Sequence, residues 1–253
     1  MPHSPFSPAD RQAGSAPLPS SSPRRGRATR WLVCALAGVA VLALLARYGD
    51  QALAVFLRDH VSRRVDAIFD AIGQLGEDGE NYAIGALVVY ALSLAGIRRG
   101  WRARWQGGYD RLARGALLMV AVLAAGGIIT GFLKHAVARA RPERFLENGF
   151  YGLAQAFSGQ PFTSFPSSHA FTAFAVAATI AVVLPRWRWP VITVAVLVAA
   201  SRLVNLDHYA SDVLASGLIA AAMVALLAPW FLDGRLQWPT RLPWQWFRTG
   251  QSR

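Results

Sequence analysis

The chain has 253 residues, a length that allows one or two domains. Apolar residues make up 54% and charged residues 16%, too few charges to coat a globule and a composition foreign to disordered chains, coiled coils and collagen-like repeats. The single cysteine, Cys34, excludes a disulfide framework and any multi-cysteine zinc or iron–sulfur site. The net charge of +12 would suggest a nucleic-acid partner in a soluble protein, but here the arginines sit mostly at the ends of apolar runs and point to a lipid bilayer instead.

Residues 1–30 hold Pro2, Pro5, Pro8, Pro17, Pro19 and Pro23 among serines and glycines, then Arg24, Arg25, Arg27 and Arg30. Such a segment buries no core and reads as a disordered basic tail. Six apolar stretches follow, at about 31–46, 81–97, 115–133, 167–185, 189–206 and 212–232. Each approaches the roughly 20 residues that cross about 30 Å of hydrocarbon. The expected fold is all-α: an integral membrane bundle of six helices over residues 31–232, followed by a cytoplasmic interfacial tail at 233–253 that carries Trp238, Trp244 and Trp246. The first stretch also fits the core of a cleaved signal peptide, although a 30-residue leader is long and no A-x-A site follows cleanly.

Arginine asymmetry sets the expected orientation. Arg24–Arg30, Arg98–Arg114 and Arg186–Arg188 mark cytoplasmic segments, so both termini lie inside. Segments 47–80, 134–166 and 207–211 then face outward, on the periplasmic side of an inner membrane. Within the first of these, residues 50–75 alternate apolar and charged side chains at helical spacing. They fit either an amphipathic helix in the outer interface or a cap helix packed on the bundle.

Ionisable groups at the edges of apolar spans are costly, and each needs an account. They form three clusters: Lys134 with Arg141 and Pro142; Pro166, Ser167, Ser168 and His169; and Ser201 and Arg202 through His208 to Asp212. The expected topology brings all three to the outward face. Three cations, two histidines, a carboxylate and the donors of a helix start suit a phosphoryl group. His208 and Asp212 are four residues apart, so on a helix already begun Asp212 would accept from the ring nitrogen nearer the backbone and leave the other nitrogen free to attack phosphorus. His169 is the candidate general acid. Against these stand structural readings: snorkelling cations at helix ends, a packed His169, a merely structural His208–Asp212 pair. A metal held by His169, Asp207, His208 and Asp212 also competes, but the nearby cations would repel a divalent ion.

Taken together the order is lysine, six residues, Arg-Pro; then Pro-Ser-x-His; then Ser-Arg, five residues, His, three residues, Asp. This closely resembles the signature of the type 2 phosphatidate phosphatase superfamily, which also includes the vanadium haloperoxidases. The resemblance implies a phosphohistidine mechanism with no metal or other cofactor. It makes His208 the nucleophile, Asp212 its orienting partner and His169 the acid, with Lys134, Arg141, Ser167 and Arg202 holding phosphate beside the backbone at Ser168. The family usually has glycine where Ser168 stands. Ordinary backbone angles at a helix start would let serine serve there.

The expected function is hydrolysis of a phosphomonoester or diphosphate on a membrane lipid, with no nucleic-acid partner. A lipid phosphotransferase would use the same phosphoenzyme. A transporter or structural bundle would not need the His208 and Asp212 pairing, and the haloperoxidases of the superfamily are soluble. Polyprenyl diphosphate, phosphatidylglycerophosphate, phosphatidate and lipid A would all present a similar group. The loop 143–166 adds Phe145, Phe150, Tyr151, Phe157, Phe162 and Phe165 as a headgroup portal or an interfacial anchor.

Overall fold

The computed structural model describes residues 23–101 and 105–233; of the expected disordered tail at 1–30, residues 1–22 lie outside them and residues 23–30 are helical, as the start of the first helix, and nearly all of the expected tail at 233–253 lies outside them as well. The described chain folds into helices: α1 Pro23–Leu44, α2 Asp50–His60, α3 Arg63–Gly73, α4 Gly79–Arg98, α5 Gln106–Val137, α6 Pro142–Asn148, α7 Ser168–Val183, α8 Arg188–Val204 and α9 Ala210–Leu232. The chain divides at Ala40–Val41 into two units, the second of which holds α2–α9 and the candidate site.

Five helical stretches are long and apolar enough to cross a membrane: Leu32–His60, Gly79–Arg98, Gly107–Val137, Pro185–Val204 and Ala210–Leu232. The remaining apolar run became α7, shorter at 16 residues. This is a multi-pass helical membrane protein. Large apolar side chains such as Ile84, Leu87, Leu92, Ile128, Phe132 and Leu226 stand exposed on its surface, as a lipid-facing belt requires.

Helix α7 is the hub. Phe171 and Ala175 meet Leu118, Val122 and Leu123 of α5 and Ala220 and Val224 of α9. Ala173 and Ala177 meet Ala195 and Val198 of α8. Glycine sets the spacing: a methyl on Gly126 of α5 would lie 2.2 Å from Phe171 Cζ, and one on Gly115 2.5 Å from Val183 Cγ2. Close helix approach through small residues is the usual basis of packing in lipid.

The segment 50–75 differs from a single amphipathic helix. It breaks at Val61–Ser62, where the Ser62 hydroxyl caps α3 by accepting from the Val65 amide at 3.4 Å. Helix α3 packs on α8, and the Asn205 side chain donates to the Asp66 backbone and side-chain oxygens at 3.0 and 2.7 Å. Packing of α3 on α8 is what the cap-helix reading expects of that half of the segment.

The α5–α7 connection contains one short helix, α6, started by Pro142 at its first turn and stopped by Gly149 at φ +76°. Connectivity then sorts the helix ends. The C-termini of α5 and α8 and the N-termini of α7 and α9 gather at one end of the bundle.

Candidate active site

That end holds the three motif clusters. Lys134 lies in the last turn of α5 and Arg141 precedes α6. Ser167 is the N-cap of α7; it is fully buried, and its hydroxyl accepts from the Ala170 amide at 3.4 Å. Ser168 opens the helix and is not among the positive-φ residues, so no glycine is required there on conformational grounds. Arg202 lies in the last turn of α8 and is buried. Lys134, Arg141 and His169 all lie near enough to His208 to act on its charge, and Arg202 and Lys134 do the same to His169.

The expected pairing of His208 with Asp212 does not form. Helix α9 starts only at Ala210, so His208 sits before it and the i to i+4 relation on one helix face is lost. His208 Nδ1 instead lies 2.6 Å from the backbone oxygen of Ser164. A carbonyl can only accept, so Nδ1 carries the proton and Nε2 keeps a free lone pair. The tautomer expected for a nucleophile is therefore obtained, through a different partner. Burial, with Lys134 and Arg141 adding to it, pushes the His208 ring well below the ordinary histidine range and keeps it neutral.

Asp212 acts one residue removed. Its Oδ2 accepts from the Ser164 hydroxyl at 2.6 Å and from the Tyr209 amide at 2.9 Å, and its Oδ1 from Arg139 Nη1 at 2.5 Å. Ser164 thus ties the two motif residues together: its hydroxyl is fixed by Asp212 and its carbonyl fixes His208. Its own amide donates to Arg139 O at 3.0 Å.

Arg139 is the centre of a buried network that the motif does not contain. Besides Asp212 it donates to the Ser211 hydroxyl at 2.7 Å, to Asp50 Oδ2 at 2.8 Å and to the Tyr151 hydroxyl at 2.7 Å. Asp50 in turn accepts from the Ser211 amide at 3.0 Å and caps the start of α9. Burial opposes the charge of Arg139, but Asp212 and Asp50 more than offset it and hold the guanidinium charged. A buried charge persists only when paired and hydrogen-bonded in this way. The sequence offered one signal for this network: Asp50 and Arg139 are charges beside apolar runs.

Arg202 is positioned from both inside and outside the motifs. Its Nε donates to Ser201 Oγ at 3.2 Å and its Nη2 to Asn205 Oδ1 at 3.3 Å, and the guanidinium lies against the backbone of Gly73. The three-residue turn after α3 presses on the first turn of α7, where a methyl on Gly76 would lie 2.7 Å from His169 O. His135 stays outside the site, stacked on Phe157 at 6.3 Å between ring centres. Among the described residues no three His, Cys, Asp or Glu side chains converge to hold a metal ion.

An all-helical membrane bundle with these motifs at one end defines the class. Residues 115–235 match the PAP2 superfamily. Among its relatives are two proteins named lipid A 1-phosphatase: one from Rhizobium johnstonii, 37% identical over 113 residues, covering 45% of this chain and 46% of the relative, and one from Rhizobium etli, 38% identical over 114 residues, covering 45% and 48%. The chain spans about half the length of these relatives. A crystal structure of a transmembrane PAP2-type phosphatidylglycerolphosphate phosphatase from Bacillus subtilis shares the fold, with a TM-score of 0.53 at 20% identity over 81% of this chain and 96% of that one.

Proposed function

We propose that the protein is a lipid phosphatase of the inner membrane that works through a phosphohistidine on His208, with its site on the periplasmic face. The observation that carries this reading is the 2.6 Å contact of His208 Nδ1 with the Ser164 carbonyl, which assigns the proton to Nδ1 and leaves Nε2 free beside Lys134, Arg141 and His169. The lone pair on Nε2 attacks phosphorus as the ester P–O bond breaks, and the departing alkoxide takes a proton from His169. The Ser164 carbonyl steadies the ring as it becomes cationic. Water then attacks the phosphoryl group, gives its proton to His169, and the P–N bond electrons return to Nε2 as phosphate leaves. Lys134, Arg141, Arg202 and the amides at the start of α7 stabilise the charge on the transferring group. The arginine-rich segments between the second and third and the fourth and fifth spans support the outward placement.

The relatives support a glycolipid phosphate, the 1-phosphate of lipid A, as the substrate. The test is phosphate release by purified protein in detergent from lipid A 1-phosphate, phosphatidylglycerophosphate, phosphatidate and polyprenyl diphosphate. Release should be fastest from the first and should vanish in a folded His208→Ala variant. Activity retained by that variant would remove the nucleophile assignment.

A further inference from the structure

Asp207 lies between the two arginines that the proposed function gives to phosphate. One carboxylate oxygen is 3.1 Å from Arg202 Nη1 and the other 3.6 Å from Arg141 Nη1. The second distance is beyond a hydrogen bond, and Arg141 Nε is buried with no partner at all. The arginine fork therefore holds a carboxylate loosely, with donor capacity left over for an anion that brings more oxygens.

The two sides of this contact differ in freedom. Arg202 is only 8% exposed and is backed by Gly73, whereas the Asp207 side chain is 34% exposed and can swing outward. The backbone aims it inward. Leu206 adopts φ +57°, a region that costs a leucine free energy and persists only where the surroundings enforce it. They do so here: the Asp207 and His208 amides both donate to Arg202 O at 3.1 Å. The same strained turn that delivers the candidate nucleophile also delivers the carboxylate to the fork.

We infer that Asp207 is a built-in competitor of the substrate phosphate, occupying the Arg141–Arg202 fork until a phosphoryl group displaces it. The inference rests on the proposed function and deepens it. A carboxylate and a phosphate compete for the same guanidinium donors, so Asp207 weakens the binding of both substrate and product phosphate and favours release of the latter.

The test is binding of inorganic phosphate to the full chain in detergent by calorimetry, alongside KM for a lipid phosphate. In Asp207→Asn the phosphate Kd should fall about tenfold, about 1.4 kcal/mol, with KM falling in step. Asp207→Ser serves as a second variant if the amide does not fold. Equal or weaker phosphate binding in a variant with a wild-type unfolding midpoint would overturn the inference and make Asp207 an organiser of the arginines, leaving the phosphatase reading in place. A wild-type chain that neither binds phosphate nor releases it from any lipid would overturn both.

Discussion

Gly73→Ala isolates the contribution of α3 to the site. A methyl there would lie 1.9 Å from Arg202 Nη2, 2.7 Å from its Cζ and 2.9 Å from Ser201 Oγ. Non-bonded heavy atoms settle at about 3.5–4.0 Å, so the guanidinium must retreat by well over about 1 Å. The two nearest obstructing atoms are the end of a long side chain, which can move without unfolding the helix. Alanine also favours the helix over glycine by up to about 1 kcal/mol, so the unfolding midpoint should change little. Activity should not be spared. Misplacement of a catalytic group by about 1 Å costs roughly 10²-fold, and loss of one transition-state donor costs about 10²–10³-fold, or roughly 2.7–4 kcal/mol. We expect kcat/KM for lipid-phosphate release to fall about 100-fold, by about 2.7 kcal/mol in barrier. Gly85→Ala, which meets nothing within 4 Å, is the control. On an Arg202→Ala background Gly73→Ala should add almost nothing, because both changes act through one guanidinium. Activity within about threefold of wild type, in a protein whose Arg202 is required, would refute the reasoning.

Three further outcomes are expected. The His208 ring, followed by NMR in the free protein, should stay neutral as pH falls through about 6.5, because burial and then Lys134 and Arg141 disfavour its charged form; protonation at or above that pH would contradict the buried, cation-flanked setting. Arg139→Met leaves Asp50 and Asp212 buried without their shared cation and should destabilise the fold by about 3–5 kcal/mol in denaturant unfolding; a loss below about 1 kcal/mol would show that the carboxylates find other partners. With Cys34 replaced, an exposed cysteine from Ala156→Cys should react with an impermeant thiol reagent in intact cells and one from Gly107→Cys should not, the reverse pattern placing the site in the cytoplasm.

Helix existence was legible in the sequence because each apolar run is long enough to need a backbone that satisfies itself in lipid. Helix ends were less so. The third run reads as 115–133 from hydropathy, yet α5 extends over Gln106–Val137, because Asp110, Arg111 and Arg114 end the apolar pattern without ending the helix. Arg114 stays in it with an i to i+4 pair to Asp110 at 2.8 Å. The motif residues could be read from spacing, but their partners could not. Ser164 is 48 positions from Asp212, and Asp50 is 161 from Ser211. The group that orients His208 is a backbone carbonyl, which leaves no trace in side-chain identity. Spacing alone suggested a direct His208–Asp212 bond because it presumed a helix that had not yet begun.

The network around Arg139 bears on how portable this chemistry is. The segment that matches the superfamily starts at residue 115 and includes every motif residue, which makes it look like a module that could be cut out or grafted. Asp50, whose carboxylate caps α9 and shares Arg139 with Asp212, and Gly73, on which Arg202 rests, both lie upstream of that start. A chimera carrying residues 115–235 on a foreign amino-terminal half would expose its buried arginine to a missing counter-charge and its phosphate clamp to a missing floor. The smallest transplantable unit of this protein therefore begins no later than the π-helical stretch Leu45–Gly49 that runs into Asp50.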